Sequence, residues 1–403
     1  MKLIIVGGGP AGSQAAELAA SKGARVILYE ARPGWEKPCG GGVPERGVDL
    51  CPALADAGLP QRIAVRARIF SPSGREALVP LAEPLRVFSR CDLNRILLER
   101  AAGAGTEVRR EKVVAVFRRD QAWEVTDGAG RKEQGDFLIG ADGASGLVRS
   151  RVAPHLPRLD GSIGIGYFLE GYSSDEIILK FYDGLDGYAW IFPRRDHLAA
   201  GICGDGAGGN SQPLFEQMER FLIDFYGAQI LRHTVRYGAK IPSLPSSLKV
   251  EDSCLGKGWA LTGDAAGFVD PLTREGIHYA LLSSRFLSQA LERDDPAAYP
   301  RACAAAFGDE MAWARDHRGA FFARRFCEAF TLLASASRPI QAVVSDLIAG
   351  RQEYRSLRHR LGARVVASGL GLGLGLLRRL VVPDGAPSPS HYPIGPTASG
   401  ASL

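Results

Sequence analysis

One thiol and three consecutive glycines lie together in the segment EKPCGGGVPERG, residues 36–47. A thiol can give a proton to a reacting group, so Cys39 is a candidate acid. Glycine loses more conformational entropy than any other residue when the chain becomes ordered, so Gly40, Gly41 and Gly42 need a physical reason. The segment is either a loose surface loop or a backbone without side chains against which a large ligand can lie.

A second group of glycines, near the N-terminus, has the spacing of a dinucleotide-binding loop. Gly7, Gly9 and Gly12 fit the pattern G-x-G-x-x-G. In that pattern the glycines allow a tight turn, close approach of the backbone to a pyrophosphate, and close packing of a helix on a strand. Glu30 follows after about 20 residues, as such sites require, and can accept hydrogen bonds from a ribose diol.

The elements around these glycines are those that a dinucleotide site needs. Residues 2–6 are an apolar run typical of a buried strand, residues 13–22 predict an alanine-rich helix, and residues 25–29 predict a second strand. The helix would present free N–H groups and its positive dipole end to the phosphates. A second match to the glycine pattern lacks a following strand that ends in an acid and is predicted to be a loop; its glycines are Gly204, Gly206 and Gly209.

Two later segments resemble motifs of FAD enzymes of the glutathione reductase and p-hydroxybenzoate hydroxylase type. Residues 136–149, DFLIGADGASGLVR, carry Asp142 and Gly143 after an apolar strand, as in the DG motif. Residues 258–284, GWALTGDAAGFVDPLTREGIHYALLSS, carry Gly263 and Asp264 after a strand, as in the GD motif. The resemblance implies that Asp264 closes the site opened by the first glycines, while the next helix start directs its dipole at the flavin.

FAD is therefore the predicted cofactor. For Arg90, at the start of a predicted helix, the resemblance implies contact with the cofactor phosphates or the flavin edge; the alternative is a surface cation on an amphipathic helix. The expected FAD contacts are Gly7, Gly9, Pro10, Ala11, Gly12, Glu30, Ala31, Cys39, Gly40, Gly42, Arg90, Val113, Asp142, Gly143, Gly263, Asp264, Gly276 and Ile277. Residues 36–42, called here the Cys-Gly loop, would then lie beside the isoalloxazine ring, and their glycines would let backbone N–H groups approach it.

Three aromatic residues alternate within LDGYAWIFPRRDHLAAGIC, residues 185–203. On a strand, Tyr188, Trp190 and Phe192 would point to one face. They form either an ordinary sheet face packed on its own core or an aromatic wall that binds substrate.

Together with the Cys-Gly loop and GDAAGFVDPLTREGI, this strand resembles the geranylgeranyl reductase family of flavoproteins, whose signature is P-x-x-Y-x-W-x-F-P. Tyr188, Trp190, Phe192 and Pro193 match the signature. Leu185 replaces its leading proline, so the turn before the strand is expected to differ. The resemblance extends over roughly residues 1–340.

The resemblance implies an oxidoreductase that saturates isolated double bonds of a polyprenyl lipid or diphosphate, with FAD reduced by NAD(P)H or another donor. A prenyl chain has no polar group, so it must be bound by apolar burial, at about 25 cal/mol per Å². The faces of Trp190 and Tyr188 would stabilise positive charge that develops on carbon by about 1–2 kcal/mol. Cys39 is either the proton donor or a small residue packed beside the flavin.

The expected fold is α/β, with a Rossmann-like FAD-binding domain of the glutathione reductase type into which an antiparallel-sheet substrate domain is inserted. The predicted boundaries are residues 1–155 with 250–300 for the FAD-binding domain, 156–249 for the substrate domain, 301–382 for a helical C-terminal region and 383–403 for a disordered tail. The tail is rich in Pro, Ser and Gly, a composition that disfavours a packed core.

Composition narrows the remaining function classes. The chain has 403 residues and a net charge of +5, and it shows no nucleic-acid-binding motif, so no nucleic-acid partner is expected. Its seven cysteines form no CxxC pair, which argues against a disulfide framework and a zinc site and favours a reducing cytoplasm. No cluster has metal-ligand spacing, so no metal is expected. No run approaches the roughly 18 apolar residues of a membrane-spanning helix.

Two segments near the C-terminus, residues 315–325 and 351–364, are rich in arginine. They predict a solvated helix face or, alternatively, contact with an anionic membrane surface, which would make a cytoplasmic protein peripheral on the inner face of the membrane. The segment VVASGLGLGLGLL, residues 365–377, predicts a close-packed helix or an apolar flap over the prenyl pocket.

Two other functions fit the same scaffold. A flavin-dependent monooxygenase or halogenase would act on an aromatic or carrier-bound substrate, and oxygen uptake coupled to NAD(P)H oxidation would favour the monooxygenase. A halogenase is expected to carry a Trp-x-Trp-x-Ile-Pro-like stretch, which this sequence lacks; YAWIFP is the segment nearest to it. A lipid-binding flavoprotein without turnover would hold FAD that no donor reduces.

Overall fold

A computed structural model describes residues 1–204, 211–232 and 234–367. The strands are β1 (Lys2–Val6), β2 (Arg25–Tyr29), β3 (Gly42–Val43), β4 (Gln61–Phe70), β5 (Glu76–Phe88), β6 (Glu107–Arg109), β7 (Val113–Arg119), β8 (Ala122–Asp127), β9 (Lys132–Gly135), β10 (Phe137–Gly140), β11 (Asp160–Glu170), β12 (Glu176–Phe181), β13 (Tyr188–Pro193), β14 (His197–Gly204), β15 (Thr234–Ser243), β16 (Leu255–Gly256) and β17 (Trp259–Leu261). The helices are α1 (Pro10–Ser21), α2 (Glu45–Val48), α3 (Arg90–Gly103), α4 (Leu147–Val152), α5 (Gln212–Tyr226), α6 (Ile277–Glu292), α7 (Ala298–Cys303), α8 (Asp309–Phe321), α9 (Arg324–Ala336), α10 (Arg338–Ile348) and α11 (Tyr354–Ala367).

A six-stranded sheet carries the dinucleotide motifs. Its order is β16-β17-β10-β1-β2-β6, and its pairings are parallel except that of β16 with β17. Val6 pairs with Gly140, and Gly140 pairs with Leu261, so β1, β10 and β17 end side by side. This register brings the first glycine motif, the DG motif and the GD motif to one edge of the sheet, where α/β proteins bind their ligands.

An eight-stranded sheet forms the second layer, in the order β15-β11-β14-β13-β12-β4-β5-β3. The pairing of β12 with β4 is parallel and the others are antiparallel. Strands β11–β15 are the expected inserted antiparallel sheet. Residues 42–88, predicted to lie within the FAD-binding domain, add β3, β4 and β5 to this second sheet. The chain therefore passes between the two sheets more than once. A small three-stranded sheet, β7-β8-β9, has its own hydrogen-bonded pairings and packs on β1 and β10 of the first sheet.

The predicted helical C-terminal region is confirmed as far as Ala367. Helices α9 and α10 pack on β5, and α11 packs on α8 and α10. Their apolar faces share a core with residues of the second sheet that include Ile69, Val79 and Phe181. This helical layer therefore covers one face of the second sheet.

Three predictions lie outside the described residues. Gly206 and Gly209 of the second glycine match are among them, whereas Gly204 is the last residue of β14. The same holds for most of the segment at 365–377 and for the tail at 383–403.

Candidate active site

The edge where β1, β10 and β17 end opens onto a cavity of about 1740 Å³. This volume exceeds the roughly 300–1,000 Å³ of ordinary small-molecule pockets, so the cavity has room for two ligands. All of the predicted FAD contacts except Gly12 and Gly263 line it, and so do Tyr188, Trp190 and Phe192. A single cavity thus joins the dinucleotide motifs to the aromatic strand.

Gly12 and Gly263 support the cavity from behind. A Cβ atom on Gly12 would lie 1.8 Å from the carbonyl oxygen of Gly7, so only glycine lets α1 pack this closely on the turn after β1. Gly263 has a φ of +59°, and a Cβ there would approach that of Ala11 to 3.0 Å. Both residues place the N-terminus of α1 rather than face a ligand.

Glu30 is held in a fixed position at the end of β2. Its two carboxylate oxygens accept hydrogen bonds from the backbone N–H groups of Gly8 and Arg32, each at 2.7 Å. A Cβ atom added to Gly9, in the turn before α1, would have no other atom within 4 Å, which leaves open space beside the helix N-terminus. Glu30 therefore suits a ribose, and the space beside Gly9 suits a pyrophosphate, as the glycine spacing predicts.

Asp142 carries an unmet hydrogen-bonding capacity that fits a ligand with donor groups. Its Oδ2 accepts a hydrogen bond from the Val148 N–H at 2.9 Å, whereas its Oδ1 is buried without a partner among the described residues. Burial raises the pKa of this carboxyl from 3.8 to about 6. A buried oxygen without a donor is costly, so the hydroxyl groups of a bound FAD would stabilise it.

Asp264 is paired with a residue of the Cys-Gly loop. Burial alone would raise the pKa of Asp264, but the Lys37 ammonium, 2.8 Å from its Oδ2, lowers it below the ordinary value. Lys37 lines the same cavity and is not among the predicted contacts, because nothing in its local sequence indicates a partner 227 residues away. FAD fits this set of residues: the glycines of the turn after β1, the buried Asp142 Oδ1 without a donor, and the fixed carboxylate of Glu30.

The glycines of the Cys-Gly loop are explained in part by the aromatic strand. A Cβ on Gly40 or Gly42 would lie 2.9 Å or 3.0 Å from the ring of Phe192. Gly41 has a φ of +83°, and a Cβ there would lie 2.1 Å from the carbonyl oxygen of Phe88. The loop is therefore packed tightly between β13 and β5, and it is not a loose surface loop. Within it, the Gly41 N–H donates to the Sγ atom of Cys39 at 3.3 Å.

The two faces of β13 have different surroundings. Tyr188, Trp190 and Phe192 face the cavity, while Ala189 and Ile191 pack into a core shared with α5. The rings of Tyr188 and Trp190 lie 6.1 Å apart in an edge-to-face arrangement, a favourable geometry for aromatic pairs.

Two further contacts fix the rings of β13. The Tyr188 hydroxyl donates to the backbone oxygen of Thr273, in the loop that leads to α6. Across the sheet, Gly201 leaves room for the indole, since a Cβ there would lie 2.4 Å from Trp190. The aromatic strand is thus an ordered cavity wall.

The apolar end of the cavity is completed by residues that the sequence did not single out. They come from the helical region and from β15, and their side chains are aromatic or aliphatic: Tyr237, Phe321, Phe322, Phe330, Leu347 and Ile348. Phe322 stacks on Tyr188 with ring centroids 6.4 Å apart. Amphipathic helix patterns alone do not reveal that an apolar face borders a cavity rather than a solid core.

The arginine-rich segments are largely ion-paired within the chain. Arg318 bonds Asp186 at 2.5 Å, Arg324 bonds Asp183 at 2.9 Å, and Arg355 bonds Glu310 at 2.7 Å. These pairs agree with the solvated helix face and lend no support to a membrane contact. None of the described helices is both long and apolar enough to cross a bilayer. The described residues also contain no group of His, Cys, Asp and Glu arranged to hold a metal ion.

Comparisons with known proteins identify the relatives of this chain. Residues 1–165 match the family model described as FAD binding domain. The chain is 32% identical over 310 residues to the geranylgeranyl diphosphate reductase of Rhodobacter capsulatus, covering 71% of this chain and 73% of that protein. It is 29% identical over 324 residues to digeranylgeranylglycerophospholipid reductase 2 of Methanopyrus kandleri, covering 73% of this chain and 79% of that protein.

A solved structure shares the fold. The geranylgeranyl bacteriochlorophyll reductase-like protein of Thermoplasma acidophilum superposes with a TM-score of 0.72 at 22% identity, over 90% of this chain and 98% of that one. The predicted α/β fold with its FAD-binding layer is confirmed, and so is the resemblance based on the Cys-Gly loop and the aromatic strand. The chain belongs to the geranylgeranyl reductase family of FAD-dependent oxidoreductases.

Proposed function

We propose that this protein saturates isolated double bonds of a polyprenyl group of the geranylgeranyl type. The observation that carries the proposal is the continuity of one cavity from the dinucleotide motifs, past Cys39, to a chamber of aromatic and aliphatic side chains. Such a chamber suits a long hydrocarbon, because its binding must come from apolar burial. The relatives named as prenyl reductases support the same substrate class over an aromatic or carrier-bound one.

The residues of the chain have three tasks in this reaction. When bound, reduced FAD supplies the hydride. The aromatic wall excludes water and places the alkene, and the faces of Tyr188 and Trp190 stabilise the positive charge that develops on carbon as the alkene is protonated. We assign proton donation to the other carbon to the Cys39 thiol, which is half-buried and lines the cavity.

The electron donor and the cellular location are further parts of the proposal. We propose NAD(P)H as the donor, bound transiently on the FAD-binding layer, and a cytoplasmic location. Contact with a membrane surface stays a prediction, for which the paired arginines of the helical region give no support.

The decisive experiment uses the FAD-loaded protein under anaerobic conditions. The protein is reduced with dithionite, or with NADPH or NADH, and incubated with geranylgeranyl compounds attached to a diphosphate, a quinone, a chlorophyll or a glycerolipid. We expect mass analysis of at least one compound to show added hydrogen pairs, together with reoxidation of the flavin. Reduction of the flavin without added hydrogen in any compound would contradict the proposal, and oxygen uptake on admission of air would then point to a monooxygenase.

A further inference from the structure

The largest side chain that is fully buried in the described part of the chain is a charged one, Arg194. It directly follows β13, the strand that supplies the aromatic wall. Charged side chains are almost never fully buried unless they are paired, because removal from water is costly. The partners of Arg194 therefore indicate what the residue is for.

Both hydrogen-bonding partners of the Arg194 guanidinium lie in the Cys-Gly loop. One terminal nitrogen donates to the Glu36 carboxylate and the other donates to the backbone oxygen of Cys39. The ring of Phe168 covers the guanidinium, with its centroid 5.3 Å from the central carbon. The loop is thus held from its buried side by a single planar group that contacts it at two points.

Glu36 extends this connection to α3. Besides Arg194, its carboxylate accepts hydrogen bonds from the Ser89 hydroxyl at 2.6 Å and from the backbone N–H groups of Arg90 at 2.7 Å and Cys91 at 3.0 Å. A carboxylate at a helix N-terminus satisfies free N–H groups and interacts favourably with the dipole. The Cys-Gly loop, the end of β13 and the start of α3 therefore meet at one ion pair, in which Arg194 is fully buried and Glu36 is partly buried.

The same contacts couple the thiol to the aromatic wall. Arg194 fixes the carbonyl of Cys39. Phe192, two residues before Arg194 in the chain, packs against Gly40 and Gly42. A change in the position of Arg194 would shift the loop and the wall relative to each other. The position of Arg194 therefore sets the spacing between the thiol and the rings, which line the same cavity.

We propose that Arg194 is a positioning residue: it holds the Cys-Gly loop, and with it the Cys39 thiol, at a fixed place opposite the aromatic wall. This inference rests on the proposed function for its effect on turnover, but not for its effect on the loop. Lysine cannot replace the residue fully, because a single ammonium lacks the planar fork that reaches both the Glu36 carboxylate and the Cys39 carbonyl.

The test compares the FAD-loaded wild type with Arg194→Met, Arg194→Lys and the double variant Arg194→Met/Glu36→Gln. The main measurement is the rate at which iodoacetamide labels Cys39, followed by peptide mass mapping, together with the visible spectrum of the bound flavin. Arg324→Met is the matched control, because that arginine is exposed and pairs with Asp183 at 2.9 Å instead of with a residue of the loop.

In Arg194→Met we expect Cys39 labelling to change by about tenfold or more, the factor that corresponds to loss of a charge-assisted hydrogen bond. The flavin spectrum should shift, and kcat should fall while KM for the prenyl substrate stays nearly unchanged. Arg194→Lys should give intermediate values, and Arg324→Met should match the wild type.

The double variant separates positioning from stability. Glu36→Gln removes the partly exposed carboxylate charge that would otherwise be left without its cation, while its amide oxygen can still accept from the Ser89 hydroxyl and the N-terminus of α3. Cys39 labelling should stay altered, because nothing then holds its carbonyl group. Wild-type labelling and an unshifted flavin spectrum in either Met variant would overturn the inference. If Arg194→Met fails to fold, the double variant and Arg194→Lys decide it. Labelling and spectrum need no prenyl substrate, so they stand even if the proposed function fails.

Discussion

At the scale of single residues, the site presents two groups whose proton chemistry can be tested separately, Cys39 and Asp142. Both line the cavity, but their surroundings differ. The sulfur of Cys39 accepts a hydrogen bond from the Gly41 N–H, whereas one carboxylate oxygen of Asp142 has no donor among the described residues. The first residue is therefore assigned to the reaction and the second to cofactor binding.

Replacement of the Cys39 thiol should slow the reductive reaction with the prenyl substrate. Cys39→Ser keeps the size of the side chain, but a hydroxyl is a much weaker acid, and general acids contribute about 10²- to 10⁴-fold to such rates. We expect single-turnover reduction of the prenyl compound to fall about 100-fold, with flavin reduction by dithionite unchanged. Cys91→Ser, at a half-buried thiol that does not line the cavity, should react normally. Full turnover by Cys39→Ser would leave the thiol a packing residue only.

Asp142 should make the stability of the FAD-free protein depend on pH. Burial raises the pKa of its carboxyl from 3.8 to about 6, so between these values the folded state keeps a proton that the unfolded state releases. Its contribution to the free energy of unfolding is therefore largest at low pH and is lost as pH rises through about 6. Asp142→Asn should lose less thermal stability than the wild type as pH rises from about 4 to about 6. Parallel melting curves for the two proteins would show that this carboxyl is already ionised.

At the scale of elements, the turn between β1 and α1 combines glycines of different purpose. Gly12 faces the backbone of Gly7, whereas Gly9 faces open space at the helix N-terminus. Gly12 therefore serves the fold, and Gly9 serves the ligand. Alanine substitutions can separate these roles, because one added methyl group meets protein in one case and the cofactor in the other.

Gly12→Ala should destabilise the FAD-free protein, because its Cβ would lie 1.8 Å from a backbone oxygen and α1 would have to move. Gly9→Ala should melt like the wild type without FAD but bind FAD about tenfold more weakly or worse, a cost of about 1.4 kcal/mol or more. Thermal unfolding and fluorescence titration with FAD measure the two effects. Gly34→Ala, in an exposed turn with nothing within 4 Å of the added Cβ, should change neither. An equal loss of stability in Gly9→Ala and Gly12→Ala would refute the division.

The elements also show why part of the site could be predicted and part could not. The glycine motif, the DG and GD motifs and the alternation of Tyr188, Trp190 and Phe192 are local patterns, and a local pattern fixes which residues share a turn or a strand face. Lys37, Arg194 and Phe330 reach the site through contacts between distant segments, as the 155 residues between Arg194 and Cys39 illustrate. Approach of Gly40 and Gly42 to the isoalloxazine ring stays a prediction, whereas their packing against the ring of Phe192 is a contact that no local pattern indicates.

At the scale of the whole molecule, the cavity lies between three layers. The parallel sheet provides the dinucleotide edge, the second sheet provides the aromatic wall, and the helical region closes the apolar end. Two hydrogen bonds join the helical region to the rest of the molecule. The Tyr354 hydroxyl of α11 donates to Asp270 at 2.8 Å, and Arg46 donates to the carbonyl oxygen of Gly350 at 2.8 Å. The C-terminal helices therefore line the apolar end of the cavity and are not a separate appendage.

Filling the apolar end from the helical layer should affect the substrate and spare the cofactor. Ile348, the last residue of α10, is partly buried and lines the cavity. Ile348→Trp would place extra volume in the apolar end of the cavity, where the proposed prenyl chain would lie, so we expect KM for the prenyl compound to rise about tenfold, a cost of about 1.4 kcal/mol. FAD affinity and dithionite reduction should stay unchanged, because the substitution lies on the helical side of the cavity. Ala342→Trp, on the exposed face of the same helix, is the matched control and should behave as the wild type. Unchanged prenyl kinetics in a folded, FAD-loaded Ile348→Trp would mean that the hydrocarbon does not reach α10. The helices that close this end of the cavity would then serve only to pack the layers together.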